Sequence, residues 1–321
     1  MTTTTKTSTE PIIRVDNLVK RYHKAKKNAV DGVSFDVKQG EFFAFLGPNG
    51  AGKTTTISIL TTMLSKTSGT VEIGGHDVEH EAKQVRSEVG IIFQNPSLDL
   101  DLTAEENIRL HASLYGEYAF RPFYKMMPAS YKTKVNDFAR LVGLGDELFK
   151  PMKTYSGGMK RKLEIVRSLM HQPKVLFLDE PTSGLDPVSR HDLWQYLQEV
   201  QRQHGTTVFL TTHYLDEAEG ADRICVINHG KVMSFGTPTE IKHNMSEQFA
   251  ILEASNRNAL EKELMNVGAE IIEKAPYFKI RISSGREAQE LIQKVKTPLN
   301  SLQITMPSLE EAYINLIKEE E

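Results

Sequence analysis

The stretch Phe42–Leu60, FFAFLGPNGAGKTTTISIL, constrains this chain more than any other. An apolar run from Phe42 to Leu46 stops at Gly47. The chain then reads Gly47, Pro48, Asn49, Gly50, Ala51, Gly52, Lys53, Thr54, with Thr55 following. This is G-x-x-x-x-G-K-T between a strand-like run and a helix-like one, the context in which the pattern forms a phosphate-binding loop. Glycines let successive backbone N–H groups turn inward on phosphate oxygens. The helix opening near Lys53 adds the positive end of its dipole. Lys53 has the length to reach the β and γ phosphates, and the Thr54 hydroxyl is placed to ligate Mg²⁺. A nucleoside triphosphate site is expected here.

The flanking sequence reads as an α/β body. Ile12–Leu18 is one expected strand, and Val33, Phe35 and Val37 alternate with Ser34 and Asp36 in the period of a half-buried second. Lys38-Gln39-Gly40 turns the chain into the strand that feeds the loop. In the basic connection Lys20–Lys27, Tyr22 stands out because an aromatic face can stack on a purine. Thr70–Ile73 and Gly74-Gly75 predict a short hairpin, and Val89–Phe93 a buried strand ending at Gln94. A polar amide at the carboxyl end of a strand sits where open α/β sheets bind ligands.

From about 97 to 172 the pattern turns helical. Thr103-Ala-Glu-Glu106 is a capping box, with Ile108, Leu110, His111, Leu114 and Tyr115 at helical spacing after it. The aromatic and methionine-rich stretch Tyr115–Tyr131 reads as the core of a small helical subdomain; an adaptable surface for a partner's helix is the sharper alternative. Ser156 caps a helix behind Ser156-Gly157-Gly158, a second anion-receptive turn. Lys174–Glu180, KVLFLDE, is an apolar strand closing on two carboxylates. Asp179 suits a Mg²⁺ shell, and Glu180 suits orientation or deprotonation of an attacking water. Asp186 caps a helix with Pro187 at its first position. The strand Thr207–Leu210 runs into Thr211-Thr212-His213, which puts His213 within reach of a γ-phosphate.

Tyr22, the loop 47–54, Gln94, YSGGM (155–159), LFLDE (176–180), SGLD (183–186) and His213 occur in one order. Over about residues 12–240 that order resembles the ATP-binding subunit of ATP-binding cassette (ABC) transporters. The resemblance implies a P-loop NTPase core with an antiparallel β subdomain and a helical subdomain. It implies that Tyr22 stacks on adenine and that Lys53, Thr54 and Thr55 hold phosphates and metal. Gln94 and Asp179 would complete the Mg²⁺ shell, with Glu180 the catalytic carboxylate and His213 the switch histidine. Two cassettes would face each other head to tail. Ser156, Gly157 and Gly158 of one would cover the γ-phosphate held by the other, and Asp186 would couple the two sites. One set of motifs per chain then requires a second copy or a related cassette. The family signature usually reads Leu-Ser-Gly-Gly-Gln, and here Tyr155 and Met159 replace the flanking Leu and Gln.

QNPSLDLDLTAEENI, YSGGMKRKLEI and PSLEEAYINLIKE look like the daunorubicin-resistance-type branch, whose cassettes pair with a separate multi-span membrane permease and export drugs, lipids or polysaccharide. The chain carries no apolar run near the ~18 residues of a membrane span and no signal-peptide pattern. A cytoplasmic, membrane-peripheral subunit is expected. Net charge −3 supplies no general pull toward nucleic acid. The single cysteine, Cys225, lies in an apolar run and reads as packing. The rival class, a soluble ABC ATPase acting on nucleic acid or ribosomes, generally shows paired cassettes, long heptad arms or zinc-binding Cys pairs, none of which this sequence has. A non-hydrolysing nucleotide module is disfavoured by Glu180. The expected division is a disordered Thr-rich tail (1–11), the cassette (12–244), and a C-terminal α+β module (245–321). The module reads strand–helix–strand–strand–helix–strand with a terminal helix, and its expected role is to close and stabilise the dimer.

Overall fold

The computed structural model describes residues 10–94, 97–245, 248–283, 285–305 and 308–318. The tail expected over 1–11 lies outside them up to residue 9, and Pro11 already begins a strand. The chain divides into two compact units, Met1–Phe235 and Gly236–Glu321.

As far as Gly236 the strands are β1 (Pro11–Lys20), β2 (Val30–Lys38), β3 (Phe42–Leu46), β4 (Ser68–Ile73), β5 (His76–Asp77), β6 (Val89–Ile92), β7 (Val175–Asp179), β8 (Thr207–Thr212), β9 (Arg223–Asn228) and β10 (Lys231–Gly236). The helices are α1 (Lys53–Leu60), α2 (Ala82–Glu88), α3 (Ala104–Leu114), α4 (Ala129–Leu141), α5 (Gly157–Leu169), α6 (Pro187–His204) and α7 (Leu215–Glu219). Among the described residues these strands form a sheet of order β10-β9-β3-β8-β7-β6 and a second of order β2-β1-β4-β5.

Strands β9, β3, β8, β7 and β6 run parallel. β3, β7 and β8 are buried at every residue, which is why their sequences are runs and not alternations. Parallel pairing puts their carboxyl ends at one edge, and that edge receives Gly47, Glu180 and His213 together. The second sheet is antiparallel, and its Phe35 meets Phe43 at 5.5 Å, Phe45 at 5.4 Å and Phe209 at 5.9 Å. This shared aromatic core joins the two sheets. Cys225 is buried in it, and burial pushes its thiol pKa up.

Between β6 and β7 the chain is helical. The capping box at α3 is formed: the Thr103 N–H donates to Glu106 at 2.8 Å, and the Glu106 N–H donates to the Thr103 hydroxyl at 3.2 Å. The buried face of α3 carries a charge pair, Glu105–Arg109 at 3.0 Å, and the buried Tyr131 hydroxyl donates to Glu105 at 3.0 Å. The expectation that Tyr115–Tyr131 supplies an apolar core is therefore corrected. Met127 and Tyr131 go in, while Tyr115, Phe120, Phe123 and Met126 stay exposed. From Gly116 to Pro128 the chain makes only one short 3-10 turn, so these aromatics never share a helical face.

The second unit continues with α8 (Pro238–Met245), β11 (Gln248–Glu253), α9 (Arg257–Asn266), β12 (Ile271–Glu273), β13 (Phe278–Ile282), α10 (Gly285–Lys294), β14 (Ser301–Thr305) and α11 (Leu309–Lys318). Its antiparallel sheet has the order β12-β13-β11-β14. Leu260 and Leu264 of α9 and Leu291 of α10 pack on Ala250, Leu252, Phe278 and Ile280 of the sheet. Helix α8, which lies at the end of the range 12–244 expected for the cassette, belongs to this unit and packs with α11.

Candidate active site

The loop Gly47–Thr54 joins β3 to α1 and is held to glycine by neighbouring backbone. A Cβ on Gly47 would sit 2.3 Å from the Ile227 carbonyl oxygen. Gly52 has φ +108°, and a Cβ there would sit 2.6 Å from the Ala29 carbonyl oxygen. Helix α1 starts without a side-chain cap and without an acidic first-turn residue, which leaves its first N–H groups for an anion.

Lys53 is buried, with Nζ donating to the carbonyls of Gly47 at 2.8 Å and Pro48 at 3.1 Å. The same Nζ lies 3.2 Å from Oε1 of Glu180. Asp179, buried at the end of β7, accepts from the Thr211 hydroxyl at 2.6 Å and lies 3.5 Å from the Thr54 hydroxyl. Glu180 follows in a left-handed conformation, φ +46°, which costs a non-glycine residue roughly 1–3 kcal/mol. Its N–H donates to the Thr211 hydroxyl at 3.0 Å and the Thr211 carbonyl at 3.1 Å, which holds that conformation in place. Oε1 of Glu180 is 3.4 Å from Nδ1 of His213, and Gln94 Nε2 donates to Oε2 at 3.4 Å.

These groups line a polar cavity of about 430 Å³. Asn49, Gly50, Gly52, Lys53, Thr54, Thr55, Gln94, Glu180 and His213 border it, joined by Ala29 and Ser183, which sequence reading did not single out for it. Gly47 and Pro48 contribute through the carbonyls that hold Lys53, and Ala51 is buried beneath, its carbonyl accepting from the Gly230 N–H. Tyr22 is exposed beside the start of α1, its hydroxyl 3.2 Å from that of Thr55. The Thr54 hydroxyl and the Gln94 amide border the cavity, and the Asp179 carboxylate lies behind Thr54 without bordering it; their oxygens are the kind a small hard dication such as Mg²⁺ takes.

Ser156, Gly157, Gly158 and Asp186 do not border that cavity. Ser156 caps α5, accepting from the Met159 N–H at 3.2 Å. A Cβ on Gly158 would meet the Ser189 hydroxyl at 3.2 Å, and one on Gly157 the Leu185 side chain at 3.8 Å. Asp186 caps α6 by accepting from the N–H groups of Val188 and Ser189 at 3.1 and 3.0 Å and from the Ser189 hydroxyl at 2.5 Å. The Ser189 hydroxyl, then its N–H, holds the Asp186 carboxyl below the ordinary range. Tyr155, at the first signature position, is a packing anchor whose hydroxyl donates to the Glu147 carbonyl at 2.7 Å.

Sequence reading passed over residues that hold the site together. Arg161 of α5 is buried and donates to the carbonyls of Phe93 at 2.5 Å and Pro181 at 2.8 Å, and to Glu164 at 2.8 Å. It thereby ties the Ser-Gly-Gly helix to the ends of β6 and β7. Nothing in the run Lys160-Arg161-Lys162 marks which cation turns inward. Thr211 was visible only as a polar residue at a strand end.

The ABC transporter family profile matches residues 30–183. The daunorubicin/doxorubicin resistance ATP-binding protein DrrA of Streptomyces peucetius is 43% identical over 234 residues, 73% of this chain and 67% of the relative. The linearmycin resistance ATP-binding protein LnrL of Bacillus subtilis is 32% identical over 317 residues, 95% of this chain and 98% of the relative. Among solved structures, the dimeric post-hydrolysis state of the ATP-binding cassette MJ0796, bound to ADP and Pi, superposes with TM-score 0.61 at 25% identity. It covers 70% of this chain and 98% of that one.

Proposed function

The chain belongs to the ABC transporter family and is an ATP-binding, ATP-hydrolysing subunit that energises a membrane exporter, and from that premise we propose how its residues divide the work. The observation that carries the reading is the convergence on Glu180: Lys53 at 3.2 Å and His213 at 3.4 Å on one oxygen, and Gln94 at 3.4 Å on the other. ATP enters with its phosphates on the 47–54 loop and its adenine against Tyr22. Lys53 exchanges its Glu180 partner for phosphate oxygens, which frees the carboxylate. Glu180 orients the attacking water and accepts its proton, and His213 hydrogen-bonds the γ-phosphate. Thr54, Asp179 and Gln94 would hold Mg²⁺, which supplies charge neutralisation for the β and γ phosphates.

Ser156, Gly157 and Gly158 lie away from the chain's own cavity, which supports their action on the site of a second cassette, in a head-to-tail pair of two copies of this chain. The MJ0796 cassette is dimeric with ADP and Pi. ATP then joins two halves, and loss of the γ-phosphate releases them. The partner is a separate multi-span permease on whose cytoplasmic side the pair sits. The daunorubicin/doxorubicin and linearmycin resistance proteins among the relatives support the drug arm of the expected drug, lipid or polysaccharide cargo class.

Glu180→Gln is the test. It keeps the phosphate cradle and removes the base, so ATP affinity stays while steady-state hydrolysis falls by about 10²–10⁴-fold. A variant that turns over ATP at the normal rate refutes the assignment of Glu180.

A further inference from the structure

Three polar residues behind the cavity make one connected device. Thr182 sits two residues after Glu180 and immediately before the cavity residue Ser183. Thr212 immediately precedes His213. Both threonines are buried, and both hydroxyls donate to the same carboxylate, that of Glu217 in the first turn of α7: Thr182 to Oε1, and Thr212 to Oε2 at 2.6 Å. The Thr212 hydroxyl also accepts from the Tyr214 N–H at 2.9 Å, on the far side of His213. Arg190 of α6, with Nε 4.0 Å from Glu217, lays its guanidinium over the Tyr214 ring at 3.9 Å. That ring packs against the His213 ring with centroids 4.1 Å apart.

A carboxylate that is itself buried is an expensive connector, because water has been removed from a charge. Two apolar side chains would fill the same space at lower cost, so stability alone does not call for it. Burial drives the Glu217 pKa up, against the hydroxyls that lower it. What the carboxylate adds is geometry. It has two acceptor oxygens in a fixed plane, and here one oxygen serves the turn after β7 while the other serves the turn after β8.

We propose that Glu217 is a positioning residue for ATP hydrolysis: it locks the Glu180–Ser183 turn and the His213 turn into one register. The carboxylate does not border the cavity. It acts through Thr182 and Thr212, so that a shift of the turn carrying Ser183 and Asp186 is transmitted to His213 instead of being absorbed between two independent loops. The Arg190–Tyr214 stack backs the His213 ring from the other side and keeps it aimed at Glu180. The inference rests on the catalytic roles proposed for Glu180 and His213.

The test compares Glu217→Gln, Glu217→Ala, Thr212→Val and Thr182→Val with Glu180→Gln, reading kcat, KM for ATP, ATP binding, the pH–rate profile and thermal stability. Glu217→Gln keeps the shape and one acceptor oxygen, and relieves the buried charge, so it folds even where Glu217→Ala does not. A lost ångström of alignment lowers kcat by about 10- to 100-fold. The expected pattern is that fall in kcat for Glu217→Ala and Thr212→Val, a smaller fall for Glu217→Gln, and unchanged ATP binding throughout. The kcat loss of the Glu217→Ala/Thr212→Val double variant should be close to that of either single, since both cut the same connection. Wild-type kcat in Glu217→Gln and Thr212→Val overturns the inference, as does a parallel loss of ATP binding and melting temperature with kcat. Should Glu180→Gln hydrolyse normally in the same assay, the underlying catalytic assignment fails instead.

Discussion

Replacing Arg161 by alanine tests whether the Ser-Gly-Gly helix is held in place by one buried guanidinium. The side chain makes hydrogen bonds to the carbonyls of Phe93 and Pro181, reaches the Asp179 carbonyl at 3.4 Å, and pairs with Glu164 at 2.8 Å. Burial lowers its pKa, against the Glu164 charge that raises it, so the desolvation penalty offsets part of what the contacts supply. Hydrogen bonds to a charged group contribute about 1.5–3 kcal/mol each. Truncation also strands the Glu164 carboxylate, itself buried, with the Ser97 N–H at 2.9 Å as a remaining donor. Removing one partner of such a buried pair costs about 3–5 kcal/mol. For a unit of this size that is a fall of about 6–20 °C in melting temperature. Differential scanning fluorimetry with and without ATP measures it. Arg161→Met with Glu164→Leu removes both charges together, and its stability should recover to within about 1–2 kcal/mol of the parent. Turnover should stay low in that pair, because the backbone ties to β6 and β7 are still missing. Arg161→Ala melting within about 2 °C of the parent, at full activity, would refute the account.

Ser156→Arg should bind ATP normally and fail to turn it over. Mixed with Glu180→Gln it should regain activity, because one site of the mixed dimer then has an intact Glu180 facing an intact Ser156. Absence of rescue in mixed dimers would contradict head-to-tail closure. Tyr22→Ala should weaken ATP binding by about 0.5–1.5 kcal/mol, the worth of one ring stack, with Tyr22→Phe restoring it; equal affinities in a nucleotide titration would remove Tyr22 from the site. His111 is neutral in the fold, since burial, with Arg167 and His171 adding, pushes its pKa from 6.5 down to about 3. The unfolded chain takes up that proton first, so stability is full above the unfolded value and declines as pH falls from 6.5 toward 3. The slope is up to about 1.4 kcal/mol per pH unit. His111→Phe, which keeps the 4.4 Å stack on Tyr115, should flatten that decline in denaturation curves, and an unchanged slope would exclude His111 as its source.

The site residues legible in sequence are those that sit at strand ends bordering the cavity or beside it. Gly47–Thr54, Asp179–Glu180 and His213 each follow an apolar run that cannot be solvated, so their position at the edge of a buried sheet follows from the run itself. Arg161, Thr211 and Glu217 are different, because each reaches a part of the protein 18 to 68 positions away in sequence, Glu217 joining Thr182 at 35 positions to Thr212 at five. A cation in a basic run, a threonine at a strand end and a glutamate in an acidic helix look ordinary until the chain is folded. The aromatic stretch shows the converse. Hydrophobicity alone placed Phe120, Phe123 and Met126 inside, but irregular backbone gives them no common face and the interior is taken by Glu105, Arg109 and Tyr131.

By itself, then, the sequence determined the local chemistry of this protein: the glycine-rich loop, the strand that ends in carboxylates, the capped helices and the order of strands and helices in the C-terminal module. These depend on spacing within a few residues, and spacing survives in a linear text. Only the tertiary structure decided that Lys53, Gln94 and His213 meet on one carboxylate, that Ser156 does not join them, and that a buried Glu217 ties the two turns behind them. Those outcomes depend on strand order in a parallel sheet and on which polar groups burial leaves in need of a partner, and neither is a local property.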